Sequence, residues 1–342
     1  MKIKKILIFG CGSVGAHHAN AAITLGYEVF LTDINAKQFI FFKNKLYPKR
    51  YKKWDYKIKF INYKKVFNLG DCFDFIIIGT SPKNHISVLM KCKEKLKYKK
   101  IIVEKPFCVF NQNFELLRNS LVKEKIFCGF NHILSKSINN IFKIIKEKKL
   151  GKIKLVQIEW KEDFNNVLKA HPWVHSIAKS YLSNIRIGGG GIHEYSHALH
   201  LALSIKSLIF KESKMRIFSQ IYYKNIKNNY YDYISNVFFK IKDCLFKINI
   251  NTISNPDIKN IRIVGHKGSL LWVRNQAKQE EIIKVVIKNK LNKKIFNITR
   301  RDDFIRQLDS INRNNEYTYL NNLYNSLNTM NFIKKSIKNN HV

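Results

Sequence analysis

A glycine pattern near the start of the chain constrains its fold most. Gly10, Gly12 and Gly15 spell GxGxxG directly after an apolar run, Lys4 to Phe9, and directly before a stretch of helical character. A second β-rich run follows and ends at Asp33. Each glycine meets a separate need: the first permits a tight turn, the second lets a pyrophosphate approach the backbone, and the third brings helix and strand close. Phosphates would then lie at a helix N-terminus, against Gly10, Gly12, Ser13, Val14 and Gly15, with Asp33 accepting hydrogen bonds from the ribose hydroxyls. A carboxylate repels a 2′-phosphate, so NAD is the expected cofactor, and Lys37 nearby leaves NADP open.

The motif carries this meaning only in a βαβ setting, which the sequence supplies. Short β-rich runs at Ile6 to Phe9, Glu28 to Thr32, Phe73 to Ile78, Ile101 to Val103 and Ile126 to Phe130 alternate with helical stretches. The run Phe75 to Gly79 (FIIIG) is apolar until its glycine, as strands covered on both faces are. After Gly151 the character changes to longer β-type segments: Lys154 to Trp160, Arg216 to Tyr223, Tyr231 to Lys240, Leu245 to Thr252 and Asn260 to Val264. The expected fold is an α/β N-terminal Rossmann domain with a doubly wound parallel sheet over residues 1–128. An α+β domain with a mostly antiparallel sheet follows over 129–342. A helix after Gly191 would pack on that second sheet, and the tail from Asp303 to Lys338 reads as helical and amphipathic.

Composition narrows the function classes. The 62 Lys and Arg against 24 Asp and Glu give a formal charge of +38, which invites a nucleic-acid reading. The lysines are spread over almost every segment, however, in a chain rich in Lys, Asn, Ile, Phe and Tyr with only 5 Pro and 14 Gly, the bias of AT-rich coding. No specific nucleic-acid role is expected, even for the dense stretch Lys49 to Lys65. No apolar run approaches the roughly 20 residues a bilayer requires, and the apolar start breaks off at Gly10, too soon for a signal peptide. The expected location is the cytoplasm, with no membrane partner. The six cysteines form no CxxC pair and read as reduced core residues.

A second motif, Val103 Glu104 Lys105 Pro106, closes one of the predicted strands. The carboxyl ends of parallel strands are where ligands bind. Together with GxGxxG this resembles the Gfo/Idh/MocA family of oxidoreductases, in which the lysine of such an EKP motif reaches the substrate beside the nicotinamide. The resemblance extends in order along the chain. Thr80, Pro82 and His85 (TSPKNH) match the family's loop over the cofactor, and His18 matches a histidine of the helix after the glycine loop. Gly129 Phe130 Asn131 match its domain-crossing segment, although His132 stands where arginine often follows. Half of the fourteen glycines lie in the phosphate loop or in the stretch Gly188 to His200 (GGGGIHEYSHALH). There Glu194 and His197 occupy the family's places for an acid and, three residues later, a histidine on the same helix face.

The resemblance implies a hydride transfer between nicotinamide and a secondary alcohol of a sugar, polyol or nucleotide-linked sugar, in an enzyme of homo-oligomeric type. His197 would be the acid/base, Lys105 would polarise the oxygen, and Glu194 would orient one of them. Lys105, Asn131, Trp173 and His197 would contact substrate, and Glu104 would join the cofactor site. The cluster WKEDF (Trp160 to Phe164) and HPW (His171 to Trp173) offers aromatic faces and carboxylates suited to a polyhydroxylated ring, and HPW and the EYSH variant (Glu194 to His197) resemble family members associated with surface-polysaccharide sugars. Two readings from other classes stand beside this one. A binding protein could keep the fold without turnover. His193 to His197 also spells HExxH, a metal-hydrolase motif needing His200 or Glu212 as third ligand, but that reading leaves GxGxxG, Asp33 and EKP unexplained, and no metal is expected.

Overall fold

The computed structural model of the protein describes residues 4–121, 125–169, 174, 176–211 and 214–341. The chain forms two units: Met1–Cys108 with Gln112–Asn131 and Arg300–Leu327, and Val109–Asn111 with His132–Thr299 and Asn328–Val342.

In the first unit six parallel strands form one sheet: β1 (Lys5–Phe9), β2 (Glu28–Thr32), β3 (Ile58–Phe60), β4 (Cys72–Ile78), β5 (Lys97–Val103) and β6 (Ile126–Cys128). Their order is β3-β2-β1-β4-β5-β6, so the direction of winding reverses between β1 and β4. Ile6 to Ile8, Ile76 to Ile78 and Ile101 to Val103 have no exposed surface, because helices cover both faces of the central strands. Five of these strands were legible as apolar runs. The short β3, with the pattern IKF, was not.

The chain does not divide once near residue 128: Val109–Asn111 belongs to the second unit, Gln112–Asn131 and Arg300–Leu327 to the first, and Asn328–Val342 again to the second. The helix Arg300–Arg313 returns to the first unit and lies on the helix Ser13–Thr24, with Phe304 stacked on His17 and edge-on to His18, each at 4.8 Å. Lys100 Nζ donates to the carbonyl of Asn312 at 3.0 Å and to Asn314 Oδ1 at 2.9 Å, a cation at a helix C-terminus where the macrodipole favours one. An amphipathic sequence announces an apolar face but not the surface that face will cover. The tail is helical as expected, in two helices, Arg300–Arg313 and Leu323–Lys338.

The second unit is built on eight strands: β7 (Ile153–Lys161), β8 (Arg216–Ile226), β9 (Asn229–Ile241), β10 (Cys244–Asn251), β11 (Ile258–Gly265), β12 (Gly268–Asn275), β13 (Glu280–Ile287) and β14 (Lys290–Asn297). The order is β14-β13-β12-β11-β7-β10-β9-β8, with β7 and β10 parallel and the other neighbours antiparallel. Alternation sorts the faces. Phe246, Ile248 and Ile250 are buried, Phe239 stacks on Phe246 at 4.4 Å, and the helix Ser196–Ile209 packs on β7 and β10. The helix Lys136–Lys146 lies against β13, and Ser135 caps it by accepting the Ile138 N–H, an arrangement worth about 1 kcal/mol.

Strands β12 to β14 are not among the β-type segments read from the sequence. Two of their turns lack the glycine that usually marks a hairpin: Gln279, at φ 51°, ends the turn from β12 to β13, and Lys288 and Asn289, both at positive φ, join β13 to β14. Among the described residues no helix is long and apolar enough to cross a membrane.

Candidate functional site

In the first unit the candidate residues gather at one edge of the sheet. The glycine loop follows β1, Asp33 follows β2, the Thr80 loop follows β4 and Lys105 follows β5, so parallel strands bring four distant segments to their common carboxyl edge. The three motif glycines divide the labour. Gly10 has φ +110°, and a Cβ there would lie 2.6 Å from the Gly79 carbonyl oxygen; one on Gly15 would lie 2.0 Å from that of Gly10. A Cβ on Gly12 would meet nothing within 4 Å. Gly10 and Gly15 are therefore required by packing, whereas Gly12 borders open space. No side chain caps the helix that starts at Ser13, which leaves its first-turn N–H groups for an anion.

Asp33 is held in place by two backbone donors: Oδ2 accepts the Cys11 N–H at 2.8 Å and Oδ1 the Asn35 N–H at 2.9 Å. A carboxylate has about four acceptor sites, so capacity remains for ribose hydroxyls. Ser13 Oγ accepts a 2.8 Å hydrogen bond from Arg50, whose other terminal nitrogen donates to His17 Nε2 at 2.7 Å. Val14 is half-buried beside Gly79. The Thr80 hydroxyl is buried without a hydrogen-bond partner among the described residues, and Pro82 opens the short helical turn that follows.

Glu104 and His85 turn inward. Glu104 is 6% exposed; Oε1 lies 2.7 Å from Nε2 of the fully buried His18, and Oε2 accepts the Lys105 N–H at 3.3 Å. His85 stands between two carbonyl oxygens, Pro106 O at 3.0 Å from Nδ1 and Thr80 O at 2.9 Å from Nε2, and burial lowers its pKa. Both side chains brace the loops after β4 and β5. Lys105 is half-buried, and Asn131 is buried with its Oδ1 unpartnered among the described residues.

In the second unit Glu194 ends the short helix Gly191–Glu194, and Tyr195, at φ −99° and ψ 26°, interrupts the run before the helix Ser196–Ile209 that carries His197. Glu194 Oε2 accepts the Tyr181 hydroxyl at 2.8 Å, and burial and that carboxylate together raise the phenol's pKa. His197 is 6% exposed, stacked on Trp160 at 5.8 Å and perpendicular to His132 at 4.5 Å. Trp160 is itself 2% exposed, so its face serves His197 rather than a sugar ring.

Gly189, Gly190 and Gly191 of the second glycine cluster are closely packed. A Cβ on Gly189 would lie 2.1 Å from the Tyr181 carbonyl oxygen, and one on Gly190, at φ +84°, 2.0 Å from Asp232 Oδ1. Gly189 thus packs against backbone, and Gly190 and Gly191 against the buried carboxylate of Asp232. Asp232 Oδ2 accepts the Ile192 N–H and the Ser235 hydroxyl, each at 2.7 Å, and so anchors the helix start from which Glu194 and His197 follow. Burial pushes its pKa up to about 7. The signal for Asp232 was a lone acid within the apolar run of β9, and sequence reading passed over it.

The other histidines of the motif have local partners. His193 is fully buried with Nδ1 3.0 Å from the Gly189 carbonyl oxygen, and desolvation lowers its pKa to about 4. His200 Nδ1 lies 2.8 Å from Thr329 Oγ1. Among the described residues no three His, Cys, Asp or Glu side chains are grouped to hold a metal ion. His171, Pro172, Trp173 and Glu212 lie outside the described residues. All six cysteines are free, five of them buried and Cys72 exposed.

The two units together define an architecture: a Rossmann domain followed by an α+β domain with a large, mostly antiparallel sheet. Solved structures share it over almost the whole chain. One is a levoglucosan dehydrogenase in complex with NADH and L-sorbose, 11% identical with a TM-score of 0.75 over 99% of this chain and 97% of that one. Another is an inositol dehydrogenase homolog from Azotobacter vinelandii with NAD+, 12% identical, TM-score 0.71, covering 99% and 95%. A third is an oxidoreductase from Agrobacterium radiobacter in complex with NAD+, L-tartaric acid and magnesium, 14% identical, TM-score 0.71, covering 99% and 96%. At these identities the likeness is one of fold. No protein-family model matches the sequence, and no curated protein matches it.

Proposed function

We propose that the protein is an NAD-dependent oxidoreductase acting on a secondary alcohol of a sugar, polyol or nucleotide-linked sugar. One observation carries the reading: open space beside Gly12, in a loop whose other two glycines are packed shut, at the point where the sheet reverses its winding. That is where a pyrophosphate fits a doubly wound sheet. The backbone of Gly12, Ser13 and Val14 would hold the phosphates, Asp33 the adenosine ribose, and the unpartnered Thr80 hydroxyl a further polar group of the dinucleotide. When bound, nicotinamide supplies the hydride acceptor or donor at its C4 carbon.

The chain's own groups supply the rest. Hydride leaves a carbon only as its hydroxyl proton departs, so a base is needed, and His197 is assigned that role. Lys105 offers a cation to the oxygen as negative charge develops. Glu194, bonded to Tyr181, orients rather than transfers. Glu104 and His85 hold the loops that carry Lys105 and Thr80 and act as positioning residues. The solved neighbours hold NAD+ or NADH with sugar, polyol or hydroxy-acid ligands, which supports the cofactor and the substrate class.

Gly12→Ala tests the carrying observation. Its backbone, at φ −94°, accepts alanine and the added methyl enters open space, so stability should be unchanged while NADH binding, read by fluorescence titration, falls at least tenfold. Equal NADH affinity in the two proteins would refute a dinucleotide at this loop. NADH binding without turnover on any member of a sugar and polyol panel would favour a binding protein that keeps the fold.

A further inference from the structure

Arg274 on β12 and Glu281 on β13 face each other across the antiparallel ladder, and both side chains are buried, 3% and 1% exposed. One terminal nitrogen of Arg274 lies 2.6 Å from Glu281 Oε1. The other Glu281 oxygen accepts the Ser137 hydroxyl, whose oxygen accepts the Trp272 indole N–H at 3.0 Å. A buried ion pair is weak evidence of stabilisation, because apolar residues of similar size often serve as well. This pair, however, touches something specific. The same guanidinium nitrogen lies 3.2 Å from Nδ1 of His132, and His132 stands perpendicular to His197 with ring centroids 4.5 Å apart.

A guanidinium has no lone pair to offer, so Arg274 donates and His132 Nδ1 accepts. The ring proton of His132 therefore sits on Nε2. A second proton would have to occupy the nitrogen that faces the guanidinium, which opposes the imidazolium both by charge and by loss of the hydrogen bond. Among the groups around His132 are His197 on its helix, Trp160 on β7 and Arg274 on β12. Behind them stand Glu281, bonded to Arg274, and Lys259 on β11, whose ammonium lies over Trp160 and pairs with Glu162 and Asp257.

We propose that Arg274 is a positioning residue for the candidate acid/base: it locks His132 as a neutral ring protonated on Nε2, so that His197 alone of the two takes up and releases a proton in turnover. Two imidazoles in contact would otherwise share one titration and blur which of them acts. The inference rests on the assignment of His197 made above, and it adds the device that keeps that assignment unambiguous.

Long-range ¹H–¹⁵N spectra of the histidine rings test it without substrate. In the wild-type protein His132 should show a bare Nδ1 and a protonated Nε2 throughout about pH 5 to 9, with no titration. Arg274→Met alone strands a buried carboxylate, so the double variant Arg274→Met/Glu281→Leu, which removes both charges, is the one to read. There His132, no longer facing the guanidinium, should become able to take a proton on Nδ1 and to titrate where the wild-type ring does not, and the pH profile of kcat should gain a second acid limb. A wild-type His132 protonated on Nδ1, or the same His132 titration in both proteins, would overturn the lock. A locked His132 beside a His197 whose replacement by Asn leaves kcat intact would overturn the catalytic assignment instead, and the two failures are distinct.

Discussion

Asp232→Asn should make the protein more stable above neutral pH and remove a specific slope from its stability profile. The carboxyl has no exposed surface, and its pKa rises from 3.8 to about 7 because burial penalises the charge more than its hydrogen bonds favour it. The folded state therefore holds a proton that the unfolded chain releases. Between the two values stability falls as pH rises, and above the folded value it levels off. At about 1.4 kcal/mol per pH unit the whole window amounts to about 4 kcal/mol, of which about 2.5 kcal/mol falls between pH 5 and pH 8. Asparagine keeps the shape and can accept the Ile192 N–H and the Ser235 hydroxyl with its carbonyl oxygen, but it carries no charge. His193 contributes a slope of opposite sign: its folded value of about 4 lies below 6.5, so the stability it lends is present above 6.5 and is lost as pH falls toward 4. Comparing wild type with Asp232→Asn at each pH cancels that term. Urea denaturation at pH 5 and pH 8 gives the measurement, and the difference between the proteins should change by about 2.5 kcal/mol in favour of the variant at the higher pH. Parallel profiles for the two proteins would show that Asp232 is ionised in the fold and would refute the argument.

Asp33→Ala should weaken NADH binding and narrow the preference for NADH over NADPH, and tighter NADPH binding by the unmodified protein would reverse the cofactor assignment. Lys105→Met and His197→Asn should each lower kcat by roughly 10²- to 10⁴-fold with NADH affinity nearly unchanged, the double variant being little worse than the poorer single one. Near-normal turnover by either single variant in steady-state kinetics would remove that residue from the mechanism. Binding to DNA or RNA should be weak, indifferent to sequence and lost as salt rises; tight sequence-selective binding at physiological salt would mean the lysines serve recognition.

The first unit was legible because its physics is local. A buried parallel strand is an apolar run, a phosphate loop is a glycine pattern, and Asp33 ends the strand after it, so four segments could be ordered from the sequence alone. The second unit was legible only in part. Strands β7 to β11 alternate clearly, but β12 to β14 are joined by turns in which Gln279, Lys288 and Asn289 take the conformations that glycine usually marks, and β14 (KLNKKIFN) has almost no buried face to create alternation. Glu194 and His197 could be read as neighbours on one face. That Tyr195 divides their helices could not, nor that Asp232, far along the chain, anchors the start. Glu104 and His85 were read as ligand contacts because they sit in ligand loops. Their partners, His18 and two backbone carbonyls, come from other elements and exist only in the folded arrangement.

The placement of charge explains how so basic a chain can keep a polar site. Four acids, Glu104, Asp232, Glu281 and Asp303, are buried among the described residues, against three basic side chains, Lys100, Lys259 and Arg274, although Lys and Arg outnumber Asp and Glu 62 to 24 in the sequence. The interior is thus close to balance and the excess lies outside it. On a solvated surface an extra lysine changes stability little, since exposed ion pairs and repulsions are each worth a fraction of a kcal/mol. Inside, replacing Glu281 would strand the Arg274 guanidinium and replacing Asp232 by an apolar residue would strand the Ile192 N–H, at roughly 1 to 3 kcal/mol for a neutral donor and more for a charge. A drift in composition toward lysine therefore spreads over the surface and stops at these partners. The charge of +38 describes the surface of the molecule, while the few retained acids mark the places where a side chain must accept a hydrogen bond for the fold and the candidate site to hold.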